Sequence, residues 1–98
     1  MSTLSESDIK KRLDTFQDLF VEARLCIEDA NESAGTKYYE EDVQAAIDCV
    51  NEAVAAFEAL VNDVTDLDEK NRILRGNGLK VEQLKGELEM ALHGGHDH

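Results

Sequence analysis

Ninety-eight residues make one small domain, and 42% hydrophobic with 33% charged residues fit a folded helical chain rather than a disordered one. A net charge of −12 excludes a nucleic-acid duplex and an anionic membrane as partners, because both would be repelled. The complementary partner is a basic protein surface; alternatively, the acids only keep a small protein in solution. The chain contains no proline, so few residues force a helix to stop.

The first predicted helix covers about residues 5–32. Ser5 is placed to cap its free amide groups, and Asp8 stands where the reciprocal partner of a capping box is found. The small polar residues and the glycine between positions 31 and 35 supply a stop signal. One apolar stripe runs along this helix in steps of four and three: Ile9, Leu13, Phe16, Phe20, Ala23, Ile27 and Ala30.

A second periodic stretch begins near residue 38, where three successive acids suit the N-terminus of a helix. From Val43 to Leu92 the residues follow a heptad pattern typical of coiled-coil-like packing. The apolar stripe is wide before residue 64 and becomes narrower and partly polar after residue 67. One seam position holds Val43, Val50, Phe57, Val64, Asn71, Gly78, Lys85 and Leu92, and the other holds Ala46, Ala53, Leu60, Leu67, Leu74, Val81 and Leu88.

The position of the bend in this stretch decides the fold. A turn within residues 62–66, with Thr65 as the cap of a new helix, predicts an all-α antiparallel three-helix bundle. We expect this closed bundle, as a single domain of residues 1–92 followed by a flexible tail of residues 93–98. Its helices would cover about residues 5–32, 38–64 and 66–92.

The rival breakpoint is Gly76-Asn77-Gly78, where two glycines would cost a helix about 2 kcal/mol relative to alanine. If neither site breaks the helix fully, helix 1 pairs with one long helix over residues 38–92. Half of that long helix would extend past helix 1 and expose its apolar residues. The extended form would therefore dimerise or bind a helical partner.

The narrow half of the heptad stretch is the predicted interaction surface. Asn71 is a polar residue on this seam, and it either selects the register and oligomeric state or lies at an edge open to water. Nearby bases between residues 70 and 85 either cover the acidic helices or dock an acidic partner. The predicted interaction residues are Leu67, Asn71, Leu74, Val81 and Leu88.

All three histidines lie within the last six residues, as His93, His96 and His98. The helical body therefore has no imidazole for general acid–base or nucleophilic chemistry, and we expect a protein that is not an enzyme and needs no cofactor. The histidines are a candidate site for zinc, nickel or copper. The alternative is adventitious metal binding or none, because ordering a flexible tail costs entropy.

The two cysteines, Cys26 and Cys49, are too few for a disulfide framework. Each directly precedes a seam residue of its helix, and a hairpin that turns near residue 36 would place them within one turn of each other. They are either a redox pair or two reduced, partly buried thiols. Without a secretory signal or an apolar run that spans a membrane, the default location is intracellular and cytoplasmic.

Together these patterns predict a non-catalytic protein–protein interaction module, such as an adaptor, an assembly factor or a small subunit. It would act through its apolar helical seam and its acidic surface on a basic or helical protein, or on a second copy of the chain. The alternative is a small metal- or redox-responsive protein that uses the C-terminal histidines or the two cysteines.

Overall fold

The computed structural model describes residues 4–94, which form three helices joined by short connections. α1 covers Glu6–Glu32, α2 covers Tyr39–Asp63 and α3 covers Leu67–Gly94. The helices lie side by side in a bundle that measures 51 × 18 × 17 Å along its principal axes. The predicted all-α three-helix bundle is therefore confirmed, and the alternative of one long helix over residues 38–92 was wrong.

Both ends of α1 follow from local sequence. Ser5 Oγ accepts a hydrogen bond from the Asp8 amide at 3.1 Å, and Asp8 Oδ2 accepts one from the Ser5 amide at 3.4 Å. This is the predicted capping box, which satisfies amides that have no partner within the helix. At the other end Gly35 has a φ of 85°, a left-handed conformation that glycine adopts without steric cost.

The core between α1 and α2 combines small residues with large rings. Ala23, Ala30, Ala46 and Ala53 are fully buried, so the two helices approach closely where these side chains face each other. Further along the hairpin the space is filled by phenylalanine, with the ring centroids of Phe16 and Phe57 5.2 Å apart. Five large residues that stand on the predicted apolar stripes are buried, namely Phe16, Phe20, Val50, Phe57 and Leu60.

The chain bends at residues 64–66, and the cap of the third helix is one residue later than predicted. Asp66 Oδ2, rather than the Thr65 hydroxyl, accepts a hydrogen bond from the Glu69 amide at 2.9 Å. α3 then continues without interruption through Gly76-Asn77-Gly78. Both signals are weak, but only the bend at 64–66 lets α3 fold back and bury its apolar face against α1 and α2.

The heptad register predicted for α3 was wrong, since Val81 is the one buried residue, among those described in this helix, that stands on a predicted seam. Leu67 is 68% exposed and Leu74 is 41% exposed, whereas Ile73, which stands outside both predicted seams, is buried. A heptad count assumes the same rotation at every residue, and the non-helical residues 64–66 interrupt that rotation. Among the described residues of α3, the buried ones are Ile73, Val81, Leu84 and Ala91.

α3 packs less extensively on the bundle than α1 and α2 pack on each other. Near its C-terminal end it is held by the Tyr39 hydroxyl, which donates a hydrogen bond to the Ala91 carbonyl, and by an ion pair between Arg24 and Glu87 at 2.8 Å. Within the described part of the chain, no helix combines the length and the apolarity that crossing a bilayer requires.

Replacing Phe57 with alanine should lower the free energy of unfolding by about 3–5 kcal/mol, because it removes a ring that is 5% exposed and packs on Phe16. The matched control is Leu79→Ala, since Leu79 is 70% exposed and its loss should change stability by less than about 0.5 kcal/mol. Urea unfolding followed by circular dichroism measures both values. Equal urea midpoints for the two variants would contradict the assignment of Phe57 to the core.

Candidate functional site

The helical hairpin brings Cys26 of α1 and Cys49 of α2 together. Their Sγ atoms lie 3.0 Å apart, and both residues are half-buried free thiols at the side of the α1/α2 interface. The placement follows from the core, because Cys26 precedes buried Ile27 and Cys49 precedes buried Val50. Residues that flank facing seams meet across an antiparallel helix pair, as the sequence predicted.

The surroundings of this pair are apolar and negative. Partial burial raises the pKa of Cys26 to about 12, helped by the hydrogen bond and the charge of Cys49 and then by the carboxylates of Glu22 and Asp29. Each of these effects disfavours the thiolate. The Cys26 thiol is therefore protonated at neutral pH, and it is a poor nucleophile while Cys49 stands beside it.

Glu22 lies one helical turn before Cys26 and was not singled out from the sequence. A carboxylate oxygen of Glu22 and the sulfurs of Cys26 and Cys49 all lie within 4.8 Å of one another. Thiolate and carboxylate are both zinc ligands, but zinc in proteins takes four positions and this set supplies three. The spacing of four residues between Glu22 and Cys26 was the available signal, since it places both on one face of α1.

The predicted histidine site is described only at its first member. His93, expected in a flexible tail, lies in the last turn of α3 with an exposed ring whose Nε2 is 3.2 Å from Glu89 Oε2. His96 and His98 lie outside the described residues. Metal binding by this tail stays a prediction.

The predicted interaction residues separate into two groups in the structure. Val81 is buried and Leu88 packs against the core, so both serve the bundle itself. Leu67, Asn71 and Leu74 lie on the exposed face at the beginning of α3. Asn71 is thus at an edge open to solvent in this monomer, one of the two alternatives left by the sequence.

Leu74 borders a groove of about 370 Å³ between α2 and α3. Phe57, Val61 and Val81 are also among its apolar lining residues, and Gly78 contributes no side chain to fill it. Glu58, Asn62, Glu82 and Lys85 complete the lining with polar groups. An apolar floor with polar groups around it is the usual form of a groove that receives a helix.

A second, larger hollow of about 620 Å³ lies mostly along α1. It includes the exposed side chains of Val21 and Leu25, and the Arg24–Glu87 ion pair lies within its lining. The bases of α3 do not form the predicted cover over the acids of the other helices. Among the described residues, Arg72 and Lys85 pair with acids of α3 itself, and Lys80 donates to the Gln17 side chain.

Comparison with known proteins identifies the family. Residues 10–93, which include all but the ends of the three helices, match the embryogenesis-like protein helical domain. The chain belongs to this family.

Over 88 residues the chain is 41% identical to a relative from Arabidopsis thaliana called embryogenesis-like protein. The matched region is 90% of this chain and 49% of the relative, so the chain spans about half the length of the curated relative that it matches. No solved structure matches. The family's description states a helical domain, in agreement with the bundle, and names no ligand or reaction.

The raised pKa of Cys26 predicts a loss of stability at high pH. The folded thiol stays protonated up to about pH 12, whereas the unfolded thiol ionises near its ordinary pKa of 9.0. Stability is then fully present below about pH 9 and falls as the pH rises towards about 12.

Urea unfolding under reducing conditions should therefore show a larger loss of stability between about pH 8 and about pH 11 for the parent protein than for Cys26→Ser. Serine does not ionise in this range, and every other ionisable group is the same in both proteins, so the difference between them isolates the contribution of Cys26. Parallel losses in both proteins would contradict the assigned environment of Cys26.

Proposed function

We propose that this chain is a non-catalytic interaction module whose groove between α2 and α3 receives a basic amphipathic helix of a protein partner. The observation that carries the proposal is the groove itself, with an apolar floor and with Leu74 left 41% exposed at its edge. An apolar helix face packs into such a groove through side chains spaced three and four residues apart.

The charge of α2 supports a basic partner. α2 carries seven acidic residues and no lysine or arginine, whereas α3 carries five of each sign. Glu58 places one of the α2 carboxylates beside the apolar floor, where Glu82 of α3 is paired with Lys85. Complementary charge of this kind speeds association and sets orientation, and its effect weakens as salt is added.

The packing of α3 also supports a docking role. Because α3 contacts the rest of the bundle less extensively than α1 and α2 contact each other, the groove lies at the more loosely packed of the interfaces that α2 makes. The buried core of residues 4–94 contains no polar or charged side chain, so the described core offers apolar packing rather than acid–base groups. We place the module inside the cell, in the cytoplasm, where its two thiols stay reduced by default.

Replacing Leu74 with glutamate should abolish capture of the partner, because it places a charge at the edge of the apolar floor. Leu79→Glu is the matched control, since Leu79 is on the same helix, is 70% exposed and does not line the groove. Affinity capture from cell extract with quantitative mass spectrometry should recover a protein bound by the parent and by Leu79→Glu, and lost with Leu74→Glu. Equal recovery with both variants would contradict the groove.

Replacing two glycines of α3 with alanine, one at a time, tests the same surface without adding charge. No atom lies within 4 Å of a Cβ built at Gly76 or at Gly78, so alanine fits at both sites and should stabilise α3 by about 1 kcal/mol at each. Only Gly78 lines the groove. If Gly78→Ala changes the affinity for the partner and Gly76→Ala does not, the result supports the groove as the binding site. Equal effects of the two substitutions would contradict that assignment.

Sedimentation of the purified parent distinguishes a foreign partner from a second copy of the chain. A monomer at all concentrations supports the proposal that a different protein occupies the groove. A concentration-dependent dimer that Leu74→Glu converts to a folded monomer would instead assign the groove to self-association.

A further inference from the structure

We propose that Cys26 and Cys49 are a covalent modification site, at which a small-molecule disulfide of the glutathione class oxidises both thiols to a reversible cystine between α1 and α2. The site lies on the α1/α2 interface, so this inference is independent of the groove beside α3. Its observation is the contact of the two sulfurs, whose centres are 3.0 Å apart.

The helices already hold the two sulfurs close to bonding geometry. A disulfide bond is about 2.05 Å long, so the sulfurs need to approach by about 1 Å. Rotation of the two side chains can supply a movement of that size. Buried Ala23, Ile27, Ala46 and Val50 hold the neighbouring turns in register, so closure does not require the helices to re-pair.

The reaction conserves atoms and electrons through two exchanges. A thiolate of the protein attacks one sulfur of the small-molecule disulfide, which breaks that bond and releases one small thiolate. The second cysteine then attacks the mixed disulfide, forms the Cys26–Cys49 bond and releases the second small thiolate. The protein loses two protons and two electrons, and the oxidant becomes two thiols.

The surroundings of Cys26 favour closure once Cys49 carries the mixed disulfide. The raised pKa of Cys26 keeps its thiol protonated at neutral pH. The hydrogen bond and the negative charge of Cys49 are two of the causes of that pKa, and both are lost once Cys49 carries a mixed disulfide. Cys26 then ionises more readily beside an electrophilic sulfur, which makes closure the favoured second step.

A metal ion is the competing occupant of the same atoms. Tetrahedral zinc with bonds of about 2.3 Å would hold the two sulfurs about 3.8 Å apart, so the present contact would have to open. Zinc would also need the exposed Glu22 side chain to become ordered and a fourth ligand from outside the set. The cystine needs only the two sulfurs that already touch.

Closure would join the helices in the half of the α1/α2 hairpin that is nearer its turn, and it would leave α3 untied. By the chain-entropy argument for a loop of this length, the folded protein should favour the cystine over the urea-unfolded protein by on the order of a hundredfold. The same preference should raise the midpoint of thermal unfolding by about 10–20 °C in a domain of this size.

The experiment equilibrates the reduced full chain in a series of glutathione redox buffers, with and without urea, and stops exchange with acid. Intact mass should show the loss of two hydrogen atoms without a glutathione adduct, and peptide mapping should identify the Cys26–Cys49 link. The folded protein should close in the more reducing buffers, where the unfolded protein stays open. The proposal would be overturned if the folded protein formed the cystine no more readily than the protein in urea. It would also be overturned if a stable glutathione adduct formed in place of the cystine.

Two variants and one metal titration complete the test. Cys49→Ser combined with Asn51→Cys keeps two thiols but moves one to an exposed position two residues along α2, so it should not close. Glu22→Gln removes a charge that disfavours the Cys26 thiolate and should speed closure. The proposal would be overturned if the relocated pair closed as readily as the native pair. It would also be overturned if zinc bound one to one and prevented closure in every buffer.

Discussion

The close approach of α1 and α2 is the constraint on which the remaining structure depends. It is possible because Ala23, Ala30, Ala46 and Ala53 are fully buried on the facing sides of the two helices. An alanine projects little beyond the backbone, so neighbouring larger side chains interdigitate instead of holding the helices apart. The same packing brings Cys26 and Cys49 into contact, although neither thiol belongs to the innermost core.

The position of α3 follows from that hairpin. α3 packs on α1 and α2 less extensively than these two helices pack on each other. Gly78 lines the groove between α2 and α3 without a side chain to fill it, and Leu74 remains at its exposed border. A domain with one tight and one looser interface can present apolar surface to a partner and keep its main core closed.

Charge differs between the two candidate surfaces. α2 carries seven acidic residues and no lysine or arginine, which is why we propose a basic helix as the partner of the groove that it shares with α3. Around Cys26, partial burial and the neighbouring Cys49 raise the pKa of the thiol, and the carboxylates of Glu22 and Asp29 add to the effect. Under the two proposals, acidic side chains would favour a basic partner at the groove and disfavour the thiolate of Cys26 at the α1/α2 interface.

The sequence by itself determined the helices, the capping box at Ser5, the buried stripes of α1 and α2, and the proximity of the two cysteines, because each depends on spacing within a continuous helix or across one short hairpin. The sequence also predicted a closed three-helix bundle. It did not decide between a bend at residues 64–66 and one at 76–78, since both carry weak local signals. The phase of α3 was decided by tertiary structure: three non-helical residues reset its rotation, which buried Ile73 and exposed Leu67. The groove beside Leu74 follows from that phase, because a gap between helices depends on how two surfaces meet and not on the pattern of either one.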